Sequence, residues 1–431
     1  MHILLIHQYF QEKDDPGGLR WNEMARLWAK EGHKITVIAG MTHYSKGIRN
    51  PKYNNKYVYE DAFAENIKVI RTHVSDSYNN NFRGRLKAYF SFVFSGMFGG
   101  LFKAREKYDL ILVSSPPLSV GFVAIILSLF KRVPLLFEVR DIWPESAIET
   151  GIIKNKLLIN LSYKLERSIY KKAKLINVVT PAMKELLIKQ KNIAPEKIIC
   201  IPNAADFNIA DNLSTQFDRT TFRKQLGIDD KLILCYVGAH GFANHLIQVL
   251  DTAELLKTEP IVFILIGDGM QKNMLIETTR SRNLSNILFF DSVAKEEALK
   301  YIIASDIGIS VLKKIEIFKT VYSNKTFDYM ACKKPILMAI DGISKELVEQ
   351  SEAGLFVIPE NHFDFAAKIR YYLQNRTLII KHGENGYNYA KKHFDRKDLA
   401  LSYLKLIEQL LQKPGSKTTL GSENSTASDV Q

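Results

Sequence analysis

Lys325 and Asp328 stand three residues apart in the segment that runs from Tyr322 to Pro335. On a helix that spacing puts an ammonium and a carboxylate on one face. The ammonium suits a phosphate and the carboxylate suits sugar hydroxyls, so the pair, with Asn324 beside it, fits a nucleotide sugar. A second run, Glu138-Val139-Arg140-Asp141-Ile142-Trp143-Pro144-Glu145-Ser146, gathers four charged groups, a Trp and a Pro just beyond an apolar strand. Asp141 or Glu145 fits a base that takes a proton from an attacking hydroxyl, and Arg140 fits the cation that holds one carboxylate ionised. The alternative for this run is an Arg–Asp pair that fixes the loop. Trp143 suits either a sugar-stacking platform or a packing indole.

Two further loops suit phosphate. Gly17-Gly18 precedes a helix pattern, where absent side chains and free N–H groups let an anion approach, with Arg20 as an added contact. In the second half, the loop from Gly238 to His245 offers GxxG where a dinucleotide fingerprint needs GxGxxG, so dehydrogenase chemistry loses support. Gly238, Gly241 and Asn244 nevertheless suit a diphosphate, with His240 and His245 as neutral donors. Gly267-Asp268-Gly269 reads as a turn. No Asp-x-Asp triplet and no His/Asp/Glu cluster with ligand spacing occurs, which favours a reaction without a resident metal or cofactor.

Positioning these groups requires parallel sheets. Strand-length apolar runs alternate with amphipathic helix patterns along the whole chain, the signature of α/β folds with crossover helices. The series pauses in a polar stretch, residues 203–231, and restarts at Leu232. Two doubly wound Rossmann-like domains are expected, over residues 1–205 and 206–395. A last helix over 396–412 has no sheet position left and is free to pack back across the first domain. Residues 413–431, poor in apolar side chains, read as a disordered tail.

The balance of 59 basic against 46 acidic residues, a formal charge of +13, calls for an anionic partner. Cys200, Cys235 and Cys332 sit in or beside apolar runs and read as free thiols of a reducing compartment, and the N-terminus reads as a strand rather than a signal peptide, so a cytoplasmic protein is expected. Two basic helix patterns suit a membrane surface. One begins at Phe82 and ends at Lys107, with an apolar, aromatic centre too short to span a bilayer; the other, from Lys154 to Lys174, carries seven basic residues against Glu166 alone. Core helices with solvated flanks are the alternative.

In their order along the chain these stretches resemble glycosyltransferase family 4 on a GT-B architecture, and more narrowly the bacterial surface-polysaccharide and O-antigen transferases with an Asp-x-Trp-Pro-Glu-Ser loop, here Asp141 to Ser146. The resemblance also takes in Gly17-Gly18, Ile201-Pro202-Asn203-Ala204, Gly267-Asp268-Gly269 and the segment around Lys325. It implies a retaining transfer from a nucleoside diphosphate sugar, with the donor on the second domain, the acceptor on the first and the reaction in the cleft between them. The family's pair of glutamates falls here on Thr320 and Asp328, so the first acid is absent, and a basic pair that many members carry after the second domain's first strand is missing too. Phosphate neutralisation then falls on Lys325 and backbone N–H groups.

The leading expectation is a peripheral membrane glycosyltransferase at the inner face of the cytoplasmic membrane. Its donor would be UDP-linked, an N-acetylated deoxysugar being one candidate, and its acceptor a lipid-linked saccharide. A nucleotide-sugar epimerase of the same architecture and a non-catalytic binder of anionic polymers are the alternatives, and nucleic acid is not an expected partner.

Overall fold

The computed structural model describes residues 1–12, 20–42, 49–77 and 82–412. Gly17 and Gly18 and the expected tail lie outside the described residues. The first sheet contains β1 (His2–Ile6), β2 (Lys34–Gly40), β3 (Val58–Ala64), β4 (Ile67–Thr72), β5 (Leu110–Ser115), β6 (Leu135–Val139), β7 (Leu175–Val178) and β8 (Ile198–Cys200), in the spatial order β3-β4-β2-β1-β5-β6-β7-β8. Every pairing is parallel except β3 with β4. Both faces are covered: Leu4, Ile6, Ile111 and Val113 join one buried cluster, while Ile3, Leu5, Leu110 and Leu112 join another. That alternation explains why these strands read as unbroken apolar runs.

The second sheet contains β9 (Leu232–Val237), β10 (Ile261–Ile266), β11 (Ile287–Phe290), β12 (Ile307–Val311), β13 (Ile336–Ala339) and β14 (Gly354–Phe356), all parallel, in the order β11-β10-β9-β12-β13-β14. Strand order reverses between β1 and β5 in the first sheet and between β9 and β12 in the second. Such switch points leave a crevice at the carboxyl edge, where ligands of doubly wound folds bind.

The helices used below are α1 (Arg20–Lys30), α2 (Phe82–Phe98), α3 (Val120–Lys131), α4 (Glu145–Glu149) and α5 (Lys156–Lys172). The first expected membrane helix is shorter than the sequence suggests: α2 stops at Phe98 and a π-helical turn, Gly99–Lys103, follows it. A side chain on Gly100 would stand 2.3 Å from Leu127 of α3, so the glycine lets the turn settle on that helix. One face of α2 is core, through Ala88, Phe92 and Val93, and the opposite face exposes Phe90, Phe94 and Phe98. Two elements went unexpected. β3 carries Glu60 and Asp61 at the sheet edge, and the helix Phe207–Gln216, capped by Asp206, lies in the polar stretch between the sheets.

The final helix, Arg396–Gln412, crosses back to the first sheet's layer. There Ala400 accepts a 2.8 Å hydrogen bond from the Trp28 indole of α1, and Tyr403 packs edge-on to Trp28. Arg396 completes the junction, paired with Glu23 of α1 and donating to the Ala204 carbonyl at 2.6 Å.

Candidate functional site

Adjacency of β9 and β12 places the loop after one beside the segment after the other. Gly238 follows β9 with φ +148°, a backbone conformation open to glycine, and a side chain there would stand 3.1 Å from Lys325 Cε. Lys325 lies half-buried in the first turn of the helix Asn324–Ala331, with its ammonium over the Tyr236 ring, 4.8 Å from the centroid. Its hydrogen-bond partner is Ser323 Oγ at 3.1 Å. Among the described residues no carboxylate forms an ion pair with it, and burial lowers its pKa to about 8, with Asp328 pulling weakly the other way. Ser323 occupies the N-cap position without a side-chain capping bond; its carbonyl accepts from Thr326 N–H at 3.0 Å, while the N–H groups of Asn324 and Lys325 precede that first bond and suit an anion.

The rest of the expected donor set is distributed around this cation. Gly241 opens the short turn Phe242–Asn244, and a side chain on Gly241 would lie 3.8 Å from the Asn244 amide. Asn324 is exposed on the first turn of the Lys325 helix. Asp328, one turn on, is ion-paired with Lys295, a residue the sequence reading did not single out. Gly267-Asp268-Gly269 is more than a turn. Side chains on Gly267 and Gly269 would fall 1.9 Å from the Gly238 carbonyl oxygen and 2.6 Å from that of His240, so the two glycines let this loop back the Gly238 loop. His240 is fully buried, both ring nitrogens lack a hydrogen-bond partner, and burial lowers its pKa to about 4, which keeps it neutral. His245 instead faces Glu360 at 3.9 Å.

Arg20 needs correction. It is 3% exposed, and its guanidinium donates to Glu138 at 3.1 Å and to the Ile201 carbonyl at 2.9 Å. Glu138 also accepts from Asn177 at 2.9 Å and Ser114 at 3.2 Å. A buried carboxylate needs such partners, so Arg20 is committed to the sheet and not to a donor phosphate.

The acceptor-edge loop divides. Asp141 accepts a hydrogen bond from Ser146 Oγ at 3.0 Å, and its carboxyl is pushed up to about 6, first by burial and last by the nearby Glu145 charge, against the pull of Ser146 and the Ile142 N–H. The Arg140 charge acts on His7, whose pKa burial and that cation lower to about 3. Glu145 is also reassigned. It pairs with Lys191, which bonds Glu166 at 2.9 Å as well, so this carboxylate ties α4 to α5 and to the helix Pro181–Lys191. Asp141, Trp143 and Ser146 line a cavity of about 780 Å³ whose wall also includes Ala243 and Phe318 of the second half. The carboxyl of the first half and the donor loop of the second therefore meet in one space.

His7 and Gln8, at the carboxyl end of β1 and thus at the first switch point, were missed. His7 Nδ1 and both amide atoms of Gln8 are buried without a hydrogen-bond partner. Their position directly after the first strand was the available signal. Thr320, where the family carries an acid, bonds the Ile317 carbonyl at 2.7 Å, and its own carbonyl accepts from Thr180 of the first half at 2.6 Å. Glu149 likewise reaches the Ile317 N–H at 3.0 Å.

Comparison with known proteins assigns both halves. Residues 17–204 match the family described as "Glycosyl transferase 4-like domain" and residues 218–409 that described as "Glycosyl transferases group 1". An Escherichia coli protein named as a colanic acid biosynthesis glycosyl transferase, WcaI, is 23% identical over 391 residues, 89% of this chain and 93% of that one. Among solved structures, the sucrose-phosphate synthase of Thermosynechococcus elongatus superposes with a TM-score of 0.73 at 17% identity, covering 95% of this chain and 99% of that one. HepE from Anabaena, in complex with UDP-glucose, gives 0.69 at 17% identity, covering 95% and 100%.

Proposed function

Because this chain belongs to glycosyltransferase family 4 on the GT-B architecture, we propose that it moves a sugar from a nucleoside diphosphate sugar to a lipid-linked saccharide during assembly of a cell-surface polysaccharide. The observation that carries the donor half is Lys325, a half-buried ammonium with a hydroxyl and a ring for neighbours and no carboxylate ion pair among the described residues. A leaving diphosphate supplies the missing negative charge, and it gains most where fixed dipoles and a desolvated cation already point at it. UDP as carrier is supported by the UDP-glucose complex of a protein with the same fold.

Transfer with retention follows from the family resemblance, and an N-acetylated deoxysugar on UDP remains the candidate donor. In this reading Asp141 accepts the proton of the attacking hydroxyl, Asp328 with Lys295 receives the ribose, and Lys325 with the backbone N–H groups offsets the phosphate charge without a resident metal. The acceptor half rests on the basic α5 and the exposed aromatic face of α2, which suit an anionic bilayer. Among the described residues no helix is long and apolar enough to cross a membrane. The proposed setting is therefore peripheral, at the inner face of the cytoplasmic membrane.

The test is Lys325→Ala. Turnover with donor and acceptor falls by about a hundredfold or more while the melting temperature holds, and full activity at saturating donor would refute the assignment. Product analysis with donor alone, in which the native protein leaves the sugar's stereochemistry untouched, separates transfer from epimerisation.

A further inference from the structure

The cavity that ends at Asp141 is mostly hydrocarbon. Its wall runs from Asp141 and Trp143 along Val93 of α2, Leu158 and Leu165 of α5, and Ile153, and it reaches Phe90, Phe94, Phe122 and Leu161, which stand partly in solvent. Outside this mouth the apolar surface continues. Leu157 of α5 is 66% exposed and Phe130 of α3 71%, and Phe98, Phe102 and Leu129 are exposed as well. Patches of this kind mark contacts with apolar partners. Exposed cations, among them Lys87, Lys103, Lys154 and Lys164, flank the same helices. Helix α3 thus adds a third element to the face formed by α2 and α5.

We propose that this cavity is a groove for the hydrocarbon chain of the acceptor lipid, and that it opens onto a face seated in an anionic bilayer. The acceptor then enters sideways, keeping its chain in apolar surroundings while its saccharide end reaches Asp141. This deepens the lipid-linked acceptor reading and rests on it. The cavity's size falls within the range of sites that enclose a sizeable ligand, and each methylene sheltered from water strengthens binding by about fourfold. The flanking cations complement the anionic headgroups around the mouth.

The experiment uses the full chain and one saccharide carried on two diphosphate lipids, a long prenyl chain and a stub of a few carbons, with UDP binding measured in parallel. Native protein prefers the long chain by roughly a hundredfold or more in kcat/KM. Ser162→Trp, which fills the groove, and Leu161→Glu, which sets a carboxylate at an exposed point of its mouth, each reduce that preference to a few-fold while UDP binding is retained. A prenyl diphosphate bearing a diazirine on its tail labels peptides containing Val93 and Leu165, independently of turnover. Unchanged chain preference in both variants, or labelling confined to the surface around Leu129 and Phe130, overturns the groove and leaves the lipid acceptor standing. Transfer solely to water-soluble saccharides overturns both.

Discussion

Lys325 lies so close to Gly238 that a side chain on the glycine would stand 3.1 Å from its Cε. Gly238 comes from the loop after β9 and Lys325 from the helix that follows β12, neighbouring strands in the sheet that are distant in sequence, and together they form a cationic recess with a glycine wall. Burial sets the Lys325 pKa at about 8 in the free protein. UDP binds the ammonium form, so its affinity is full at pH 7 and weakens above pH 8, by up to about tenfold per unit. Calorimetric titration across pH 7 to 9.5 checks this, with Lys325→Met as the control that loses the slope.

Gly238→Ala tests the wall. Its φ of +148° is strained for any L side chain, and the new methyl would also lie 3.3 Å from Tyr236 Oη. Backbone strain of this kind costs about 1–3 kcal/mol, and crowding of the ammonium adds to it. The expected outcome is a donor KM raised about tenfold or more, with a smaller change in kcat. Steady-state kinetics at fixed acceptor decide it.

As the proposed base, Asp141 is expected to set the acidic limb of the pH profile. With its carboxyl pushed up to about 6, the base form is scarce at pH 5 and nearly complete at pH 7, so kcat/KM climbs through that interval and then levels. Asp141→Asn removes the climb and lowers the plateau by roughly a hundredfold or more. An unchanged profile in the variant would return Asp141 to a loop-fixing role.

Arg20→Ala separates structure from ligand binding. It strands Glu138, a carboxylate with no exposed surface, and removing one partner of a buried pair costs about 3–5 kcal/mol. In a domain of this size that lowers the melting temperature by roughly 10 °C. UDP affinity at a temperature below the transition stays at the native value. Loss of UDP binding with an unchanged melting point would restore Arg20 to the donor site.

The parallel strands were legible because each is buried on both faces and reads as a continuous apolar run. β3 was not, since Glu60 and Asp61 on an edge strand mimic a loop. Lys325, Asp328 and the Gly238 loop could be picked out by residue type, and the structure brings Lys325 and Gly238 together. Arg20 misled for a physical reason: its partner Glu138 is 118 residues away, and nothing local distinguishes a buried guanidinium from an exposed one. His7 and Gln8 had one signal in the sequence, their place directly after the first strand, while their unpartnered polar atoms emerge only from the packing.

The chain passes between its halves twice, side by side. Ala205 N–H donates to the Phe394 carbonyl at 3.0 Å, and Arg396 N–H donates to the Ala205 carbonyl at 3.1 Å. A single tether would let the halves swivel, shear and separate in any direction. Two tethers laced together act as a hinge with one pin, so opening is a swing that leaves the far edges to part and the near edges fixed. Any opening of the cleft would then carry the Lys325 recess and the Asp141 carboxyl apart along one arc rather than many.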